Sequence, residues 1–179
     1  SDPDAGQKRT FEIASGNADG AFAINSSTGT ITVVKPSLLN YEATPVLSLT
    51  VRVTDNAETP LSDTAVVKVI LSNVNEAPVL SGSQTSFLLA ENFTGVVTTL
   101  TATDVDAGTV LTYSLSGADA ARFSITSGGA LSFVNAPNFE APTDAGANNI
   151  YDVTINVSDG ALSASRSITV DILNANEGP

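Results

Sequence analysis

The chain contains no histidine, cysteine, methionine or tryptophan. Without cysteine there is no disulfide and no thiolate nucleophile. Without histidine or cysteine there is no nitrogen or sulfur ligand set for zinc. No imidazole is present to act as a general base, and Lys8, Lys35 and Lys68 form no pattern for a serine–lysine pair. Aromatic residues are scarce, at 6%. No apolar run approaches the ~20 residues of a membrane-spanning helix, and no signal peptide is visible. With no initiating methionine, the chain is expected to be a piece of something longer. Basic residues are also few, 7 against 19 acids, for a net charge of −12. That balance opposes nucleic acid and anionic membrane as partners.

What is present is enough to fold. At 179 residues and 42% hydrophobic content, the chain has room for one large or two small domains with real cores. It also repeats itself. "SGNADGAFAI" (15–24) matches "SGADAARFSI" (116–125), "LNYE" (39–42) matches "PNFE" (137–140), and "LSLTVRVTD" (47–55) matches "YDVTINVSD" (151–159). "NVNEAP" (73–78) matches "NANEGP" (174–179), in the same order. The chain therefore reads as two copies of one unit, residues 1–77 and 78–179, joined near Ala77 and Pro78.

Period-two alternation runs through Leu47, Leu49, Val51 and Val53, and again through Val153, Ile155 and Val157, as half-buried strands require. Gly, Asn, Asp and Pro punctuate these runs, and no helical period stands out. The fold class is all-β: two tandem Greek-key β-sandwiches of immunoglobulin-like architecture. Seven strands are expected in the second unit, among them "TSFLLAEN" and "GVVTTLTAT". The first unit lacks counterparts of these two. A cropped window on a longer array accounts for that, with donation of the strands by a neighbouring chain as the alternative.

The acids fall at matched strand ends. Asp2, Asp4 and Asp55 correspond to Asp104, Asp106 and Asp159; Glu42 corresponds to Glu140 and Glu76 to Glu177, while Glu91 closes a strand. Two carboxylates ~5 Å apart repel by about 3 kcal/mol at an effective dielectric of ~20. A repeated cluster therefore calls for a neutralising cation. An all-oxygen donor set suits Ca2+ better than the tight octahedron of Mg2+. The acids without a repeat partner, Asp19, Glu58, Asp63, Asp119, Asp144 and Asp152, read as solvated charge. Tyr41 and Phe139 read as core anchors of the loops that carry Glu42 and Glu140.

These residues resemble cadherin-type repeats, nearer the bacterial cadherin-like modules than the animal receptors. "LAEN" resembles the family's x-Glu-x motif, "DPDAG" and "DVDAG" its Asp-x-Asp motif, and "LNYE" and "PNFE" its Asp-aromatic-or-Arg-Glu motif. "VTD" and "VSDG" resemble its late Asp, and "NVNEAP" its linker. The resemblance implies calcium at the joints between modules. It would assign Glu42, Asn73, Asn75 and Glu76, with Asp104, Asp106 and Asp159, to the central joint. Asp2, Asp4 and Asp55 would face a preceding module, and Glu91, Glu140, Asn174, Asn176 and Glu177 a following one. Asn40, Asn138 and Asn73 stand where the family has Asp, which implies fewer or weaker ions.

The function expected is a calcium-rigidified structural or adhesive segment of a large extracellular, cell-surface protein, such as a bacterial adhesin. Its partners would be neighbouring repeats of the same chain, with self-association or a surface polysaccharide beyond that. The alternatives are a polysaccharide-binding module and a surface-filament subunit completed by donated strands. No enzyme is expected. Asn-x-Ser/Thr sequons stand at Asn25, Asn92 and Asn156 and matter in a eukaryotic secretory protein.

Overall fold

The computed structural model describes residues 8–178. The chain divides into two compact units, 1–74 and 75–179. The division falls before Asn75 rather than at Ala77–Pro78, because Asn75 and Glu76 hydrogen-bond into the second unit.

In the first unit, β1 (Arg9–Ser15), β4 (Val46–Asp55) and β5 (Ser62–Ile70) form one antiparallel sheet in the order β1-β4-β5. A hairpin of β2 (Phe22–Ile24) and β3 (Ile31–Val33) faces it. The buried core is Ala21, Phe22 and Leu49, with Ile13, Ile31, Leu39, Leu47, Val67 and Val69 packed around it. Among the described residues no strand pairs with the outer edge of β5. Val66 and Ile70 on that strand are 64% and 75% exposed.

The second unit repeats this path and adds to it. Its first sheet, in the order β10-β13-β14-β7, is built from Thr112–Ser116, Ile150–Ser158, Ser163–Leu173 and Ser86–Ala90. Strand β7 lies parallel to β14, with Ser86 opposite Thr169 and Ala90 opposite Leu173. The second sheet, in the order β11-β12-β8, is built from Phe123–Ile125, Ala130–Phe133 and Val96–Thr99. A two-residue pair, β6 (Val79–Leu80) with β9 (Ala102–Thr103), completes the unit. Nine strands therefore stand where seven were expected. "GVVTTLTAT" is two strands, because the chain leaves β12 after Thr99 and pairs with β6 from Ala102. Between them Leu100 turns inward, 3% exposed, and donates its N–H to the Gly129 carbonyl at 3.0 Å.

Alternation along β13 puts Tyr151, Val153, Ile155 and Val157 in the core, none more than 1% exposed. Ile168, Val170 and Ile172 of β14 join them, with Phe123 and Leu131 from the facing sheet. The Tyr151 ring stands edge-on to Phe133, centroids 5.2 Å apart at 86°, a favoured aromatic geometry. The Arg166 guanidinium donates to the carbonyls of Ser81 and Gly82, fastening the start of the unit to β14.

Asp119 and Asp144 depart from the sequence reading. They are 4% and 6% exposed, not solvated. Asp119 accepts the N–H groups of Ala145 at 2.7 Å and Asp152 at 2.8 Å. Asp144 accepts those of Asn148 and Asn149, both at 3.0 Å. The long connection between β12 and β13 cannot form a ladder, so these carboxylates satisfy its backbone donors. Asp152 accepts the Thr169 hydroxyl at 2.7 Å.

Candidate metal centre

At the start of the second unit, the linker meets two turns that carry Asp104, Asp106 and Asp159. After β9, Asp104 turns the chain by accepting the Asp106 N–H on Oδ1 at 2.9 Å. Thr109 then donates its hydroxyl to the Asp106 carbonyl, also at 2.9 Å. Such an Asx-turn suits the Asp-x-Asp spacing. Between β13 and β14, Asp159 accepts the N–H groups of Ala161 and Leu162 on Oδ1, both at 2.6 Å. The linker reaches both loops. Asn75 donates its side-chain amide to Asp159 Oδ2 at 2.8 Å, and the Glu76 N–H goes to Asp106 Oδ2 at 2.9 Å. The Asn75 amide, followed by the Leu162 and Ala161 N–H groups, holds the Asp159 carboxyl below its usual range against the opposing effect of burial.

Asp104 Oδ2 is buried and has no hydrogen-bond partner among the described residues. A buried acceptor left bare costs free energy unless something occupies it. The carboxylate and amide oxygens of Asp104, Asp106, Asp159, Asn75 and Glu76 are the kind of donors that fit a hard cation such as calcium.

A second cluster lies at the other end of the same unit. Glu91, 4% exposed, follows β7 and donates its own N–H to the Leu173 carbonyl at 3.0 Å. Its Oε1 accepts the Ala175 N–H and its Oε2 the Phe139 N–H, both at 2.9 Å. Those two donors, Ala175 foremost, hold its carboxyl below the usual range. Glu140 accepts the Asn174 side-chain amide at 2.6 Å, and Glu177 accepts that of Asn92 at 2.8 Å. One carboxylate oxygen from each of Glu91, Glu140 and Glu177 lies within 4.8 Å of the others. Asn176 is exposed beside Glu177.

In the first unit, Asp55 behaves as Asp159 does. Its Oδ1 accepts the N–H groups of Ala57 and Leu61, both at 3.1 Å. Glu42 sits in the loop before β4, and Asn73 follows β5. Asp2 and Asp4 lie outside the described residues. Asn40 and Asn138 both serve as turn acceptors, taking the N–H groups of Ala43 at 2.6 Å and Ala141 at 2.7 Å. Phe139 packs against the core of its unit, whereas Tyr41 is 38% exposed. The sequence reading missed Asn92 as a partner of Glu177. The only signal was its place directly after Glu91 in "LAEN".

Two β-sheet units in one chain, the second with a carboxylate cluster of Glu91, Glu140 and Glu177, define a class of tandem-repeat modules. The Cadherin domain family model matches residues 1–72, nearly all of the first unit. Human Protocadherin-23 is 30% identical over 174 residues, 94% of this chain and 5% of its own length. Human Protocadherin Fat 4 is 43% identical over 88 residues, 49% of this chain and 2% of its own length. Among solved structures, mouse Cadherin-23 EC22-24 shares the fold with a TM-score of 0.66 at 21% identity, covering 98% of this chain and 58% of that one. The chain belongs to the cadherin family. It spans 5% or less of the length of the two protocadherins. These relatives are animal proteins, so the similarity gives no support to a bacterial adhesin.

Proposed function

We propose that the chain is a pair of spacer repeats in a large extracellular adhesion protein, and that calcium held at the ends of its repeats stiffens the array. The observation that carries this reading is the cluster of Glu91, Glu140 and Glu177. Three carboxylates converge within 4.8 Å, one of them almost wholly buried. None of the three pairs with a Lys or Arg among the described residues. The bare, buried Asp104 Oδ2 at the opposite end supports the same reading.

Asp104, Asp106, Asp159, Asn75 and Glu76 would hold an ion at one end of the second unit. Glu91, Glu140, Glu177, Asn174 and Asn176 would do so at the other. By the internal repeat, Asp2, Asp4 and Asp55 have the first role in the first unit, and Glu42 and Asn73 the second. Calcium supplies positive charge and a flexible shell of about six to eight oxygen bonds.

The chain's own residues make that charge mechanically useful. Asn75 and Glu76 bind the linker to the turns carrying Asp159 and Asp106. Glu91 binds the segment after β14 to the loop carrying Glu140 through Ala175 and Phe139. Ordering a linker and assembling its ligands are then one event. An ion that binds only the ordered form stabilises it by RT ln(1 + [Ca]/Kd). Extracellular modules bind calcium with Kd of about 10⁻⁴–10⁻³ M, so the array would be stiff outside the cell and loose at cytoplasmic calcium. Its partners would be adjoining repeats and second copies of the chain.

Small-angle X-ray scattering in chelator and through a calcium titration tests this. The expected result is a longer maximum dimension and a narrower ensemble, with a midpoint near millimolar and no change in Asp104→Ala. A scattering curve indifferent to calcium would overturn the reading.

A further inference from the structure

Three sequons stand in the chain, and their surroundings differ sharply. We propose that Asn25 is the site that carries an N-linked glycan when the chain is made in a eukaryotic secretory pathway, and that Asn92 and Asn156 remain bare. The proposal rests on the extracellular placement of the chain and is independent of calcium.

Asn25 opens the turn between β2 and β3, and residues 25–28 are exposed. Its Oδ1 accepts the N–H of Ser27 at 2.9 Å and of Thr28 at 3.0 Å. Backbone hydrogen bonds close the turn as well. Asn25 N–H donates to the Thr30 carbonyl at 2.9 Å, Gly29 N–H to the Asn25 carbonyl at 2.8 Å, and Phe11 N–H to the Ser26 carbonyl at 2.8 Å. The Asn25 Nδ2 makes no hydrogen bond among the described residues, so substituting it removes nothing from the fold. The Asx-turn also brings the sequon's third residue, Ser27, back against the asparagine side chain.

The other two sequons lack these properties. Asn156 is half-buried in the middle of β13, paired with Ser114 on one side and Ser165 on the other. Its Nδ2 donates to the Ser116 hydroxyl at 2.9 Å. In an extended strand, residues two apart stand about 6.6 Å from each other, so Ser158 cannot fold back on Asn156. Asn92 has a φ of 62°, and its Nδ2 is committed to Glu177. A sugar there would push into the carboxylate cluster.

The transfer balances with one named co-reactant, a lipid-pyrophosphate-linked oligosaccharide. Asn25 Nδ2 forms a bond to the anomeric carbon. The carbon–oxygen bond to pyrophosphate breaks, and the lipid pyrophosphate leaves with the electron pair. One Nδ2 proton passes to a base of the transferase.

The test is to secrete the chain from cultured human cells, treat it with a peptide N-glycosidase in heavy-oxygen water, and map tryptic peptides by mass. The three sequons fall in separate peptides, 10–52, 69–122 and 123–166. The heavy-oxygen aspartate label is expected in 10–52 only. It should be lost in Ser27→Ala, which keeps the backbone N–H of the turn, and retained in Ser27→Thr. An unlabelled 10–52 in secreted protein, or equal label in either other peptide, would overturn the assignment. Protein retained inside the cells is mapped in the same way, so failed export counts against the extracellular reading and not against Asn25.

Discussion

Asn75 donates its side-chain amide to Asp159 Oδ2 at 2.8 Å, tying the first residue of the second unit to the turn between its last two strands. This bond is the leading reason that the Asp159 carboxyl lies below its usual range. A carboxyl with a depressed folded pKa contributes stability above its unfolded value, near ~3.9. That contribution is lost as pH falls through the folded value. In chelator, the urea midpoints of the wild type and Asn75→Ala should therefore differ by a constant gap from about pH 7 down to about pH 4. The gap should close at lower pH. A gap unchanged down to about pH 2 would show that the bond does not depend on the charge.

Glu91→Gln keeps the size of the side chain and one acceptor oxygen but removes its charge. Both carboxylate oxygens accept backbone N–H groups, which hold the folded carboxyl below its usual range, so in chelator the variant, whose amide N–H faces one of those donors, should melt below the wild type. In millimolar calcium the gap should widen, because the wild type gains stability by mass action and the variant loses a ligand. Differential scanning calorimetry in both buffers checks this. An equal gap in both buffers would contradict the assignment of Glu91 as a ligand.

Asp119 has a different task. Asp119→Ala would leave the Ala145 and Asp152 N–H groups without their acceptor, at about 1–3 kcal/mol for each. Asp119→Asn, which retains one carbonyl oxygen, should cost less, and Glu58→Ala on the surface should stay within about 0.5 kcal/mol. Chemical denaturation of the three variants measures the order. A neutral Asp119→Ala would show that the long loop does not depend on it.

Gly29 and Gly129 occupy matched turns, with φ of +74° and +82°. An L-residue in either pays about 1–2 kcal/mol for the left-handed backbone. At Gly29 an added Cβ meets the Phe11 ring at 3.2 Å, whereas at Gly129 it would sit 1.9 Å from the Leu100 carbonyl oxygen. Gly129→Ala should therefore destabilise its unit beyond that range and break the β12–β8 pairing, while Gly29→Ala should stay within it. Thermal melts and amide exchange at Leu100 distinguish the two.

Much of this was legible in the sequence because the chain carries its own alignment. Matched "SGNADGAFAI" and "SGADAARFSI" placed β2 and β11 at equivalent points, and Asp55 and Asp159 accept equivalent backbone donors. Periodicity could reveal β13 because its inward residues alternate without a break. It could not reveal β6 and β9, since two residues carry no period. Asp119 and Asp144 were hidden for another reason. An acid with no repeat partner looks like surface charge until the loop that needs its oxygens is seen. Tyr41 was misjudged by analogy with Phe139, although the first unit's core beside it is thinner.

The most direct test of the central claim is a calcium titration of the chain followed amide by amide by NMR. The Phe139 and Ala175 amides, which bind Glu91, and those of Ala161 and Leu162, which bind Asp159, should shift saturably. Their midpoints should lie at about 10⁻⁴–10⁻³ M calcium. Glu91→Gln should abolish the first pair of shifts and Asp104→Asn the second. A weak drift that never saturates and spreads over all the surface acids would mean that the clusters are charge alone, and the calcium account would fail.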